Sequence, residues 1–121
     1  MLRGLVQVIL FVRDMEQQVQ FYRDQLGMPV LQPEGLRDYR SEFWVTLDAG
    51  ACVLALHGGG AGRQGEDAPK LVFGVRDMEA VREVLLGRGV HLTDVRAVAP
   101  GIQICDGRDP EGNAFSLQAR D

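Results

Sequence analysis

A five-residue string occurs twice in this chain. Val12-Arg13-Asp14-Met15-Glu16 returns unchanged as Val75-Arg76-Asp77-Met78-Glu79. Each copy follows an apolar, strand-like run, Leu5 to Val12 in the first case and Leu71 to Val75 in the second. Each also opens a helix-like run that stops at a glycine, Gly27 or Gly89. Because the context repeats along with the letters, the chain is expected to fold as two similar halves. Asp14 and Asp77 are of the type that caps a helix N-terminus, and Gln17 follows Asp14 at the spacing of a capping box. Met15, Val19, Tyr22 and Leu26 predict the apolar stripe of the first helix; Met78, Val81 and Leu85 predict that of the second.

The rest reads as strands. Glu42–Asp48 and Ala51–His57 flank Ala49-Gly50, a hairpin signal. Gly101–Asp106 and Asn113–Ala119 flank Asp109-Pro110-Glu111-Gly112, whose Pro and Gly suit a tight turn. His91–Val98 and Met28–Leu31 are weaker strands. The order is β-α-β-β-β, twice. Links this short cannot make parallel crossovers between the three later strands of a half, so an α+β fold with mostly antiparallel sheets is expected. The 121 residues suit one domain, with modules at about 1–57 and 70–121 and a Gly-rich linker at 58–69.

Charge and composition narrow the function. The net charge is −4 and no basic run occurs, which argues against a nucleic-acid partner. The apolar start, Met1 to Val12, is interrupted by Arg3 and Gln7 and is too short to span a bilayer, so no membrane role is expected. Cys52 and Cys105 match neither a disulfide framework nor a zinc spacing. A cytoplasmic location is the resulting expectation. Gly60-Ala61-Gly62-Arg63-Gln64-Gly65 matches the dinucleotide fingerprint in letters, but a Pro and a strand follow it where a helix is required. No nucleophile elbow or catalytic triad spacing is present.

The segments VQVILFVRDM (6–15), FYRDQLG (21–27), LVFGVRDMEAV (71–81), GRGV (87–90) and DPEGNAFSL (109–117), in this order and repetition, resemble the vicinal oxygen chelate family of glyoxalases, bleomycin-resistance proteins and ring-cleaving dioxygenases. The resemblance spans nearly the whole chain and implies two β-α-β-β-β modules forming a cupped sheet with helices outside. It also implies a homodimer. In metal-dependent members four side chains in the cup hold one divalent cation, and the matching positions here are Gln7, Ala55, Lys70 and Ser116. Gln7 stands where many members have His; Ala55, Lys70 and Ser116 stand where Glu, His and Glu are expected. Ala offers no donor, Lys repels a cation and Ser is a weak ligand, so no family-type metal and no cofactor are expected.

Strand periodicity then fills the cup with Ile9, Phe11, Trp44, Thr46, Val53, Val72, Ala114 and Gln118. Gln7, Phe11, Trp44, His57, Lys70 and Ser116 are the expected contacts to a small organic molecule. Lys70 would meet an anionic or carbonyl group, and Trp44 would stack on a flat one. Arg37 and Arg40, with Tyr39 between them, would flank the mouth. The favoured reading is binding by sequestration, as in the bleomycin-resistance branch. One alternative is a lyase, isomerase or dioxygenase with a displaced metal on Gln7, His57 and a carboxylate such as Glu42 or Asp106. Metal-free acid–base chemistry by His57 or Lys70 is another, and a module whose cup is filled by its own side chains is a third.

Overall fold

A computed structural model describes residues 5–60 and 68–121. The chain divides into two compact units, Met1–Gln64 and Gly65–Asp121. Most of the fingerprint-like segment, from Ala61 to Gly65, lies outside the described residues.

The first unit runs β1 (Gln7–Phe11), α1 (Met15–Val19) with a π-helical continuation (Gln20–Gln25), β2 (Val30–Gln32), β3 (Trp44–Asp48) and β4 (Val53–His57). Its sheet has the order β1-β4-β3-β2. β1 pairs in parallel with β4, whereas β3 pairs antiparallel with both β4 and β2. The second unit repeats the plan with β5 (Leu71–Gly74), α2 (Met78–Gly87), β6 (Arg96–Ala99), β7 (Ile102–Arg108) and β8 (Ala114–Arg120). Its order is β5-β8-β7-β6, again with a parallel first–last pair. This is the expected mixed α+β architecture.

The repeated string does the same local work in both units. The Asp14 carboxylate accepts from the Gln17 amide at 3.0 Å, and Asp77 accepts from Ala80 at 3.1 Å. Each satisfies an amide that the helix itself leaves without a partner. Gly27 and Gly89 both close their helices at φ 84°, a left-handed backbone that disfavours side chains. Met15, Val19 and Tyr22 are buried, as are Met78 and Leu85.

Two elements depart from the periodic reading. The first helix widens after Val19, where the Leu26 amide bonds to the Phe21 carbonyl. That i→i+5 bond rotates the stripe, so Phe21 is buried beside Tyr22 and Leu26 lies only part-buried. The expected strand His91–Val98 begins only at Arg96. Before it, Leu92 makes a single bridge to Gly107, and the Thr93 amide and hydroxyl both bond to the backbone of Asp106. Thr93 thereby turns the chain away from the ladder.

The second unit's core depends on one close approach. A Cβ added at Gly107 would lie 2.5 Å from Phe115 Cζ and 3.0 Å from Leu92 Cδ2. Phe115 is buried and its ring has no room to retreat. Gly107→Ala is therefore expected to destabilise the fold by about 1–3 kcal/mol. Urea denaturation checks this, and an unchanged midpoint would disprove the tight contact.

Candidate functional site

In the first unit the register places Gln7 opposite Val53, Ile9 opposite Ala55 and Phe11 opposite His57. Across β3, His57 pairs with Trp44 and Ala55 with Thr46. Strand alternation sends these side chains to one face, while Leu10, Leu54, Leu56, Val45 and Leu47 on the other face are buried. α1 packs on β4.

His57 is the centre of an aromatic cluster. Its ring lies 4.8 Å from Phe11, 4.8 Å from Phe43 and 5.9 Å from Trp44, centroid to centroid. The Phe43 and Trp44 contacts are edge-to-face, the arrangement that ring quadrupoles favour. His57 Nδ1 lies 2.6 Å from the Gly58 carbonyl oxygen. A carbonyl oxygen only accepts, so Nδ1 donates, and in the neutral ring Nε2 is left as an acceptor. Yet these aromatics are far from covered: Phe11 is 54% exposed, Phe43 61% and Trp44 39%. Gln7 is exposed as well.

Phe43 escaped the sequence reading. The expected strand Glu42–Asp48 would have turned it away from Trp44 and Thr46, but β3 starts at Trp44 and frees it. Its ring lies against Gly58 and Gly59, where added Cβ atoms would come within 3.1 and 3.0 Å. Tyr39 also departs from expectation. It is buried rather than at a cavity mouth, with its hydroxyl donating to the Pro33 carbonyl and its amide to Glu16. It anchors the loop before β3 to α1. An open depression of about 660 Å³ on this unit, lined by Leu5, Val6, Leu31 and Cys52 among others, is bordered by Val53 of the expected cup but by none of the six expected ligand contacts.

In the second unit Asp106 is the hub. Ser116 Oγ donates to its Oδ1 at 2.5 Å, Arg96 Nη1 meets Oδ2 at 2.8 Å, and Lys70 Nζ lies 3.3 Å from Oδ1. The Ser116 hydrogen bond, followed by those from Arg96 and Lys70, holds the Asp106 carboxyl below the usual carboxylate range. Lys70 and Ser116 are thus brought together, through a carboxylate that the sequence reading had offered only to a displaced metal.

The positions expected to match metal ligands are equivalent in the two units. Gln7 and Lys70 stand equally far ahead of the repeated string, and Ile9 faces Ala55 as Val72 faces Ser116. Their chemistry does not fit a divalent ion. Ala55 is fully buried with no donor atom, Lys70 brings an ammonium, and the Ser116 proton is committed to Asp106. Among the described residues, no three His, Cys, Asp or Glu side chains converge to hold a metal.

Paired β-α-β-β-β units with parallel first–last strands define the class of glyoxalase-type proteins. The chain belongs to the Glyoxalase/Bleomycin resistance protein/Dioxygenase superfamily, whose sequence model matches residues 4–117. It is similar in structure to SMU.1112c, at 27% identity and a TM-score of 0.77, over 98% of this chain and 99% of that one. A Bacillus anthracis protein described as a glyoxalase family member superposes at a TM-score of 0.80 and 14% identity, covering 100% and 98%. TnmS3, an antibiotic binding protein from Streptomyces sp. CB03234, superposes at 0.76 and 23% identity, covering 100% and 99%. No curated protein sequence is significantly similar to the chain. Among the described residues no helix is long and apolar enough to cross a membrane.

Because Asp106 titrates below its ordinary value of 3.8, its contacts stabilise the fold above that pH. That contribution is lost as pH falls through the lower folded-state value. Wild-type stability should therefore fall more steeply than that of Asp106→Asn between roughly pH 5 and pH 2. Parallel denaturation curves for the two would show that the hub adds nothing.

Proposed function

We propose that this protein binds a small organic molecule without a family-type metal, and acts by holding the molecule rather than transforming it. The observation that carries this reading is the donor set itself. Where a glyoxalase-type centre needs carboxylates and imidazoles, the chain has a buried alanine, an ammonium and a hydroxyl already donating to Asp106. Removing ligands of that kind abolishes Lewis-acid assistance but leaves the sheet face available for binding.

The exposed aromatics supply the second support. Phe11, Phe43 and Trp44 around His57 offer ring faces and edges for a flat partner, with polar atoms on Gln7 and His57 nearby on the same sheet. Ile9 and Phe11 stay 41% and 54% exposed, so the unit does not fill this face with its own side chains. The antibiotic-binding role of TnmS3, on the same fold, agrees with this reading. Lys70 and Ser116 serve the reading as polar contacts from the second unit's sheet. We further propose that the protein works as a homodimer in the cytoplasm, with Gln7, Phe11, Trp44, His57, Lys70 and Ser116 as its contact residues and without a cofactor.

Trp44 is the single tryptophan, so its emission reports on this face alone. Metal-free bleomycin and naphthalene-based aromatics are expected to quench it saturably, and Phe11→Ala is expected to weaken binding about three- to tenfold. Elemental analysis of the purified protein is expected to find no stoichiometric zinc, nickel, iron or manganese. Stoichiometric metal, or no saturable quenching by any of these compounds, would overturn the reading.

A further inference from the structure

The second unit carries an open groove of about 700 Å³, lined by Lys70, His91, Thr93, Asp106, Arg108 and Ala114 among others. Its formal charges balance, Lys70 and Arg108 against Asp106 and Asp109, but the two acids are engaged by other groups. Asp109 is buried, and its oxygens accept from the Glu111 and Asn113 amides and from Asn113 Nδ2, all within its own turn. Asp106 is drawn to one side by Ser116 and Arg96, which bond to different carboxylate oxygens.

The register explains why the two cations face each other. Leu71 pairs with Phe115, so Lys70, one step earlier, runs alongside Ala114. Arg108 pairs with Ala114 from the other side. The three residues form one row across β5, β8 and β7, with the smallest side chain in the middle. Two strand spacings separate the cations, roughly 9–10 Å between backbones, and the methyl group of Ala114 leaves the space between them open. Lys70 is held only by a 3.3 Å contact and is half exposed, so it can swing toward an incoming group. One Arg108 nitrogen donates to the Gly112 carbonyl at 2.7 Å, which steadies the guanidinium and leaves its other N–H groups available.

We propose that this groove is an oxyanion subsite, in which Lys70 and Arg108 take a carboxylate or phosphate group over Ala114. Asp106 is the counter-ion that keeps Lys70 in place while the subsite is empty. The inference names an acidic group that the second unit would take and so rests on the small-molecule reading above, with which it shares Lys70. The groove, Arg108 and Ala114 are its own. A guanidinium and an ammonium on opposite sides suit an oxyanion with several acceptor oxygens better than a neutral carbonyl.

Amide chemical shifts in the intact protein test this directly, with benzoate, benzamide and inorganic phosphate as probes. Benzoate and phosphate are expected to move the amides of Gly107, Arg108 and Ala114 saturably, and benzamide is not. Lys70→Met and Arg108→Met, both exposed and remote from the core, are each expected to weaken benzoate about tenfold. Asp106→Asn removes the competing carboxylate and is expected to tighten it about threefold or more. Equal shifts from benzoate and benzamide, or affinities indifferent to both cation replacements, would overturn the subsite. In either case Trp44 quenching by the aromatic probes would be untouched, so the binding reading fails or survives separately.

Discussion

Each unit is organised by a parallel pairing of its first and last strands. Parallel neighbours cannot be joined by a tight turn, and the chain between them must supply a helix and two further strands. In both units that pairing also sets which residues share a row: Ile9 with Ala55, and Val72 with Ser116. Because register fixes the face as well as the row, a slip of one residue would turn His57 and Ser116 over to the helix side. Asp14 and Asp77 start the helices at the point where the chain must leave the sheet, so the repeated string and the parallel pairing serve the same constraint.

What sits in those rows decides the chemistry. A metal centre and the Asp106 hub are electrostatic opposites. The first gathers lone pairs around a cation, whereas the second gathers proton donors around a carboxylate. Ser116 Oγ, Lys70 Nζ and Arg96 Nη1 all point hydrogen at Asp106. Their combined pull favours the ionised Asp106, and the ionised Asp106 in turn orients three side chains. The longest of these contacts, to Lys70, is the weakest geometrically, and salt and solvent screen it further.

The fold was legible in the sequence because its signals are local. The repeated string, the two cap aspartates and the two helix-ending glycines need no tertiary information, and the strands they delimit fell within a few residues of their places. What was hidden depends on contacts between distant segments. The π-helical turn buries Phe21 beside Tyr22, a residue outside the stripe that spacing alone marks out. Thr93 breaks a strand only because Asp106 is there to bond it. Phe43 joins the aromatic cluster only because β3 begins two residues later than expected and two glycines lie beneath its ring. Asp106 could be named from its strand, but its three partners come from three different segments, and no spacing rule connects them.

The two sheets share a backbone plan and differ in kind. One face offers area: aromatic rings and aliphatic side chains whose attraction for a ligand scales with apolar surface removed from water. The other offers charge, with Lys70, Arg96 and Arg108 against Asp106. Area binds many flat molecules with similar strength, since every ring system has a face to stack. Charge discriminates, because a buried or half-buried cation without its counter-ion is costly and a neutral ligand cannot replace that counter-ion. On the binding proposed for this chain, the difference between the two repeats is enough to separate affinity from specificity. Neither task, as proposed, requires a divalent ion at Gln7, Ala55, Lys70 and Ser116.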